Sequence, residues 1–224
     1  MARKPPHRRG QLSRDGIVEA ATAILASDGL AGLTMRRVAD SLGVEAMSLY
    51  NHVRDKRDLL DGVASRALSQ LAIPDPSLPW PQRLRLLVLS LYDLLAANPW
   101  LVMVLTAEQI EPREPSIFAA MDAAIAIFEE AGLDPPRRVS AFRGLLALCF
   151  GIVLTHTIGL RMSPAQAEVQ FATAKVDHWP GAASARLVAL APQFFLTRPA
   201  DDLRFMLDAY IAALEAQAGD RTPP

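Results

Sequence analysis

Residues 32–61 read GLTMRRVADSLGVEAMSLYNHVRDKRDLLD, and their spacing decides the fold. Thr34 stands where a helix N-cap belongs, ahead of Val38, Ala39 and Leu42 at helical spacing, and Gly43 stops that helix. Only Val44 and Glu45 separate it from a third short helix expected over residues 47–52. Asp55 then caps a fourth, carried by Leu59, Leu60, Val63, Ala64, Ala67, Leu68 and Leu71. Upstream, Ser13 precedes Ile17, Ala20, Ala21, Ile24 and Leu25, a first helix that Gly29 is expected to end. The result is four helices in about sixty residues, the middle two joined by a tight glycine turn, which is the layout of a helix-turn-helix.

That layout has a physical purpose. The major groove of DNA admits one helix, so a second must cross behind it at a fixed angle through a shared apolar core. Val38, Ala39, Leu42, Val44, Leu49 and Val53 supply such a core. The groove-facing side must be polar or small, and Glu45, Ala46, Met47, Ser48, Tyr50, Asn51 and His52 fit that requirement. Arg36, Arg37, Arg54, Lys56 and Arg57 flank the pair, within reach of phosphates on either side. Charge is distributed to match. Up to Leu60 there are ten Lys/Arg against seven Asp/Glu, leaving thirteen basic and seventeen acidic residues in the rest. Arg3, Lys4, Arg8, Arg9 and Arg14 all precede the first acid, Asp15, and form a candidate basic arm for phosphate contacts or a plain solvated tail.

Pro74, Pro76, Pro79 and Pro81 interrupt the helical pattern and mark a domain boundary, giving expected domains at 1–72 and 80–224. Further helices are expected over residues 83–97, 99–107, 114–131, 135–162, 184–196 and 199–217, with a short one near 165–174. No stretch alternates with a period of two, so the fold class is all-α: an N-terminal helix-turn-helix domain plus a larger helical domain. The chain is 224 residues long and 51% hydrophobic, enough for a sizeable core. Its single cysteine, Cys149, excludes an internal disulfide and reads as a small buried hydrophobe. The longest apolar run, residues 144–160, falls short of the roughly 20 residues of a membrane span; it carries His156 and reads as a core helix. A soluble, cytoplasmic protein without membrane contact is expected.

At this point the chain resembles the TetR family of bacterial repressors over residues 12–60. The resemblance rests on Gly32-Leu33-Thr34, Arg37-Val38-Ala39, Leu42-Gly43-Val44, Leu49-Tyr50-Asn51-His52-Val53 and Lys56-Arg57-Asp58-Leu59-Leu60, with types and spacing both kept. It covers about a quarter of the chain; the remainder matches only in being helical and of suitable length. The resemblance implies that Thr34, Arg36 and Arg37 lie near DNA from the second helix and that Ala46, Met47 and Ser48 face base edges. Tyr50 and His52 would contact the backbone, with Asn51 between them in the DNA-facing set, and Lys56 a phosphate with help from the N-terminus of its helix. Asn51 stands where the family often has an aromatic residue. Tyr50 as core packing and His52 as a capping or packing group are the plainer alternatives.

The resemblance also implies a homodimer on double-stranded DNA and a second domain for ligand binding and dimerisation. Ala147, Gly151, Thr155 and Gly159 recur every four residues, a face small enough for close helix approach, between subunits or inside one. Leu203, Leu207, Tyr210 and Leu214 make the last helix its expected partner across the dimer. For a small-molecule effector, the candidate lining is Tyr92, Trp100, Met103, Phe118, Phe142, Phe150 and His156, each of which could instead be ordinary core. No preserved polar set in this domain argues for tetracycline with its magnesium ion. An enzyme is the competing class, and an architectural DNA-binding protein without a ligand is a third. No glycine-rich phosphate loop or Gly-x-Ser-x-Gly elbow occurs, and His7, His52, His156 and His178 have no metal-ligand spacing. No catalytic residue, metal or cofactor is expected.

Overall fold

The computed structural model describes residues 12–106, 115–155, 186 and 199–219. All regular structure among them is helical: α1 (Arg14–Gly32), α2 (Met35–Leu42), α3 (Ala46–Leu49), α4 (Lys56–Leu68), α5 (Trp80–Ala97), α6 (Trp100–Leu105), α7 (Pro115–Glu130), α8 (Pro135–Leu154) and α9 (Pro199–Gly219). The expected segments over 165–174 and 184–196, and the basic arm before Leu12, lie outside the described residues, apart from Arg186.

Polar caps fix where the first helices begin. The Ser13 hydroxyl accepts from Gly16 N–H at 3.2 Å, Thr34 Oγ1 from Arg37 N–H at 3.2 Å, and the Asp55 carboxylate from Asp58 N–H at 2.9 Å. Each satisfies a donor that the helix itself leaves open. α2 stops at Gly43, whose φ of 68° is costly for a residue with a Cβ. There Gly43 N–H donates to Asp40 O and Val44 N–H to Ala39 O, which closes the helix and turns the chain toward α3. Gly29 also turns the backbone (φ 66°), but the chain resumes one helical step to Gly32 before leaving α1. Trp80 and Pro81 belong to the first turn of α5, where a missing N–H costs nothing, so the helix starts ahead of the expected residue 83.

The core is continuous through the described chain. α1 packs on α2 and α4, and α2 on α3; α4 and α1 rest on α6, and α4 on α7; α5 and α8 complete the body, with α9 against α8. Gly62 permits the close α1–α4 crossing, since a Cβ there would stand 2.9 Å from Val18 Cγ2. Arg83, buried at the start of α5, donates to Glu130 at 2.5 Å and ties α5 to the end of α7. Cys149 is fully buried, and burial pushes its thiol up to about 12, so it stays a neutral packing group.

Candidate nucleic-acid interface

The helix-turn-helix is built on two buried anchors. Leu49 and Val53 sit in the core with Val38, Ala39 and Leu33. Burying Leu49 alone contributes roughly 1.5–3 kcal/mol. α3 is regular only from Ala46 to Leu49 and then continues as a tighter turn, with Tyr50 N–H donating to Met47 O and His52 N–H to Leu49 O. The expected helix over 47–52 is therefore half helix and half turn.

With Leu49 inward, the neighbouring side chains face solvent. Met47 is 73% exposed and Tyr50 45%; Asn51 is exposed, and Ala46, Ser48 and His52 are half-buried. The exposure of Tyr50 disfavours its reading as core packing. Arg36 projects from the first turn of α2, and Arg57 from the first turn of α4, both exposed, with Lys56 half-buried beside Arg57. The α3 segment thus presents a polar surface with a protruding thioether, and Arg36, Arg57 and Lys56 stand at the first turns of the neighbouring helices α2 and α4.

Arg37 is placed differently from expectation. Its guanidinium pairs with Asp28 at 2.7 Å and donates to Gly32 O at 3.2 Å, so it clamps α2 to the end of α1. The hydrogen bonds from Ser27 and Arg37, with the Arg37 charge, hold the Asp28 carboxyl below its usual range. Thr34 likewise spends its hydroxyl oxygen on the α2 cap while remaining exposed. Arg14, which the sequence groups with the basic arm, is the first residue of α1 and grips Asp58 through both nitrogens at 3.0 and 2.9 Å.

Asp58 is the hub of this region. Besides Arg14 it accepts from Arg54 N–H at 2.8 Å, and the Arg54 guanidinium lies 3.7 Å away. Burial works to raise its pKa, but the Arg14 and Arg54 hydrogen bonds and charges outweigh that and hold it below the ordinary carboxylate value. Asp58 thus joins the start of α1, the turn after α3 and the start of α4 into one rigid corner. Forty-four residues separate Arg14 from Asp58, and no local spacing announces the pair. At the N-terminus of α4 the Asp58 N–H already serves Asp55, so part of the donor set expected for a phosphate is occupied.

Behind the head lies a cavity of about 210 Å³ lined by Leu68, Leu71, Leu91, Leu105, Ile117, Ala120, Met121, Phe142, Leu146 and Phe150. Of the expected lining, Phe142 and Phe150 are there. Met103 and Phe118 are exposed on the surface instead, and Trp100 packs half-buried against the core. Tyr92 is also absent from the wall; burial first, then Asp93 and Asp202, raise its hydroxyl pKa. His156 and Gly159 lie outside the described residues. Sequence reading missed Leu68 and Leu71, which it took only as residues carrying the fourth helix.

The outer faces of α8 and α9 require a second correction. Ala147, Gly151 and Thr155 are exposed as expected of an interface, and a Cβ on Gly151 would meet nothing within 4 Å. Leu203, Leu207 and Leu214, however, are buried within this chain, and Tyr210 turns inward to donate to Ala141 O at 2.7 Å. Outward from α9 point Phe205, 74% exposed, with Met206, Ala209, Ala213 and Ala216. The last helix is apolar on two faces, and the leucine face was taken up internally.

A helix pair with one anchored member and one exposed reading face is the geometry of a helix-turn-helix protein. Residues 17–63 match the family described as bacterial regulatory proteins, tetR family. Among curated relatives, the transcriptional repressor DrrR1 of Streptomyces coeruleorubidus is 35% identical over 132 residues, 58% of this chain and 48% of that protein. The class D tetracycline repressor of Escherichia coli is 37% identical over 78 residues, 34% of this chain and 36% of the repressor. The chain thus spans about half or less of the length of these relatives. In solved structures, the TetR family protein ActR of Streptomyces coelicolor with actinorhodin aligns with a TM-score of 0.77 at 25% identity, over 94% of this chain and all of ActR. BioQ with its double-stranded DNA operator shares the fold at a TM-score of 0.63 and 23% identity, over 92% of this chain and 99% of BioQ. Residues 17–63 thus form a domain of the tetR-family type, and over the full length the chain shares the fold of ActR.

No helix among the described residues is long and apolar enough to cross a membrane. No group of three His, Cys, Asp or Glu among them is placed to share a metal ion.

Proposed function

We propose that the chain is a homodimeric transcriptional repressor of the bacterial cytoplasm, released from a palindromic operator by a small-molecule effector and without enzymatic activity. Residues 1–72 act as the reading head and 80–224 as the sensing and dimerising body. The observation that carries this reading is the exposed face around Met47, held rigid by buried Leu49 and flanked by Arg36, Lys56 and Arg57. Met47, Ala46 and Ser48 meet base edges, Met47 by apolar contact with a thymine methyl or sugar. Tyr50, Asn51, His52, Thr34, Arg36 and Lys56 hold the backbone, while Arg37 positions α2 from behind.

Two such heads need a spacing of about 34–36 Å to read successive major grooves. The bare surface of Gly151, with Ala147 and Thr155 beside it, and the Phe205–Met206 face of α9 support pairing through these two helices. The apolar cavity at the junction of α4, α5, α6, α7 and α8 supports an effector site, as does the liganded ActR relative.

Binding of the chain to DNA upstream of its own gene tests this. Lys56→Ala should weaken binding similarly on all sequences and reduce the salt slope by about 1. Arg36→Ala should weaken it on the preferred site. Phe205→Glu should shift sedimentation from dimer to monomer with the fold intact. Unchanged DNA binding in both head variants, with native circular dichroism, would refute the site assignment.

A further inference from the structure

Ser65, in the last turn of α4, and Ser116, in the first turn of α7, are fifty-one residues apart in sequence and face each other half-buried. Their hydroxyl oxygens are 2.5 Å apart, and Ser116 Oγ also lies 3.1 Å from the Ser65 carbonyl oxygen. One arrangement satisfies both distances: Ser116 donates to the carbonyl and accepts from the Ser65 hydroxyl. The same carbonyl continues to accept Ser69 N–H at 2.8 Å, so α4 is not broken there. α4 packs on α7, and two directional hydrogen bonds fix one point of that contact.

The location of that point matters. Just beyond the pair, Leu68 at the end of α4 and Leu71 past it, with Ile117, Ala120 and Met121 after Ser116 on α7, form walls of the same cavity. In the other direction α4 runs nine residues to Lys56 and the Asp58 corner that holds the turn after α3. At about 1.5 Å per residue, Lys56 lies ~13 Å from the pair and Leu68 ~4.5 Å. A displacement of Leu68 about a fixed Ser65 is therefore magnified roughly threefold at Lys56.

We propose that the Ser65–Ser116 hydroxyl pair is the pivot through which occupancy of the cavity is transmitted to the DNA-reading face. The inference rests on the reading above: DNA at the head, effector in the cavity. Ser65 and Ser116 are positioning residues that touch neither partner. Without the pair, α4 and α7 part by local repacking and the head keeps its place.

The test is a cycle that needs no effector. Ala120→Phe fills the cavity from the α7 wall; Leu146→Phe does so from the opposite wall if the first variant fails to fold. Each is placed in three backgrounds: Ser116, Ser116→Ala, and Ser116→Thr, which keeps the hydroxyl. Affinity is measured for a duplex selected by the wild-type chain from a random pool. The filled cavity should weaken binding roughly tenfold with Ser116 or Ser116→Thr, and less than about twofold with Ser116→Ala. The same fold-change in all three backgrounds, or none in any, would overturn the pivot. If the wild type selects no duplex, the DNA-binding reading fails instead, and amide exchange over residues 56–60 decides the pivot. Filling should speed that exchange with Ser116 and leave it unchanged with Ser116→Ala; equal acceleration, or none, would overturn it.

Discussion

In the head, α1, α2 and α4 each begin on a side-chain cap, and Asp58 on α4, with partners at the start of α1 and in the turn after α3, locks those three segments together. In the body, α5 and α6 begin after prolines with no side-chain cap, α8 begins on the Asp134 carboxylate, and leucines and aromatics surround an unfilled volume. The two regions share one continuous core, but they spend their polar groups differently. A reading face must hold several side chains within a fraction of an ångström, which directional bonds achieve. A sensing body must accept a guest at small cost, which loosely filled apolar walls permit.

This contrast can be broken by substitution. The largest effect expected is from Leu49→Ala, which empties a tightly packed site and should cost about 3 kcal/mol in urea unfolding. Leu146→Ala, on a wall that already borders a void, should cost less than about 2 kcal/mol. Equal losses would mean that the two cores are packed alike.

The Asp58 corner comes next. Asp58→Asn should cost about 2 kcal/mol at neutral pH, because hydrogen bonds to charged groups are lost. The sign of its pH dependence follows from the direction of the shift. The folded-state pKa lies below the unfolded value, so the unfolded chain binds the proton more readily. The stabilisation is complete above the ordinary carboxylate value and is lost as pH falls through the folded-state pKa. Wild-type stability should therefore fall more steeply below about pH 4 than that of Asp58→Asn, as thermal midpoints across pH 2–7 would show.

Gly43→Ala should cost about 1 kcal/mol through its left-handed backbone alone, since a Cβ there meets nothing within 4 Å. The smallest effect expected is from Gly151→Ala, which should stabilise an isolated subunit by roughly 0.5–1 kcal/mol as a helix-interior glycine replacement. It should nevertheless loosen the dimer in sedimentation equilibrium. An unchanged dimer would remove Gly151 from the interface.

Legibility in the sequence followed the same division. Thr34, Gly43 and Asp55 act locally, through bonds to residues three to five positions away, so their spacing revealed the head's helix boundaries. The Arg14–Asp58 grip acts across forty-four residues and left no local trace. In the body, residue type could not say which way a side chain points. Met103 and Phe118 were expected in a pocket and lie on the surface, while Leu68 and Leu71, read only as part of the fourth helix, line the cavity. α9 shows the limit clearly: Leu203, Leu207 and Leu214 form one apolar stripe, and Phe205, Ala209, Ala213 and Ala216 another. Periodicity found the first stripe, and only the packing of α9 on α8 and its ion pair from Asp208 to Arg85 on α5 determine which one faces inward. The prolines misled for a related reason, since Pro81 breaks a helix in mid-run but is welcome in its first turn.

The central claim is that the face around Met47 reads DNA sequence while the flanking cations hold it in place. Selection of duplexes from a random pool, run in parallel with wild type, Met47→Ala and Lys56→Ala, tests it most directly. Wild type should enrich a palindromic site, Met47→Ala should change the bases enriched within each half-site, and Lys56→Ala should enrich the same site more weakly. A wild-type chain that enriches nothing, or a Met47→Ala chain that enriches the wild-type site unchanged, would contradict it.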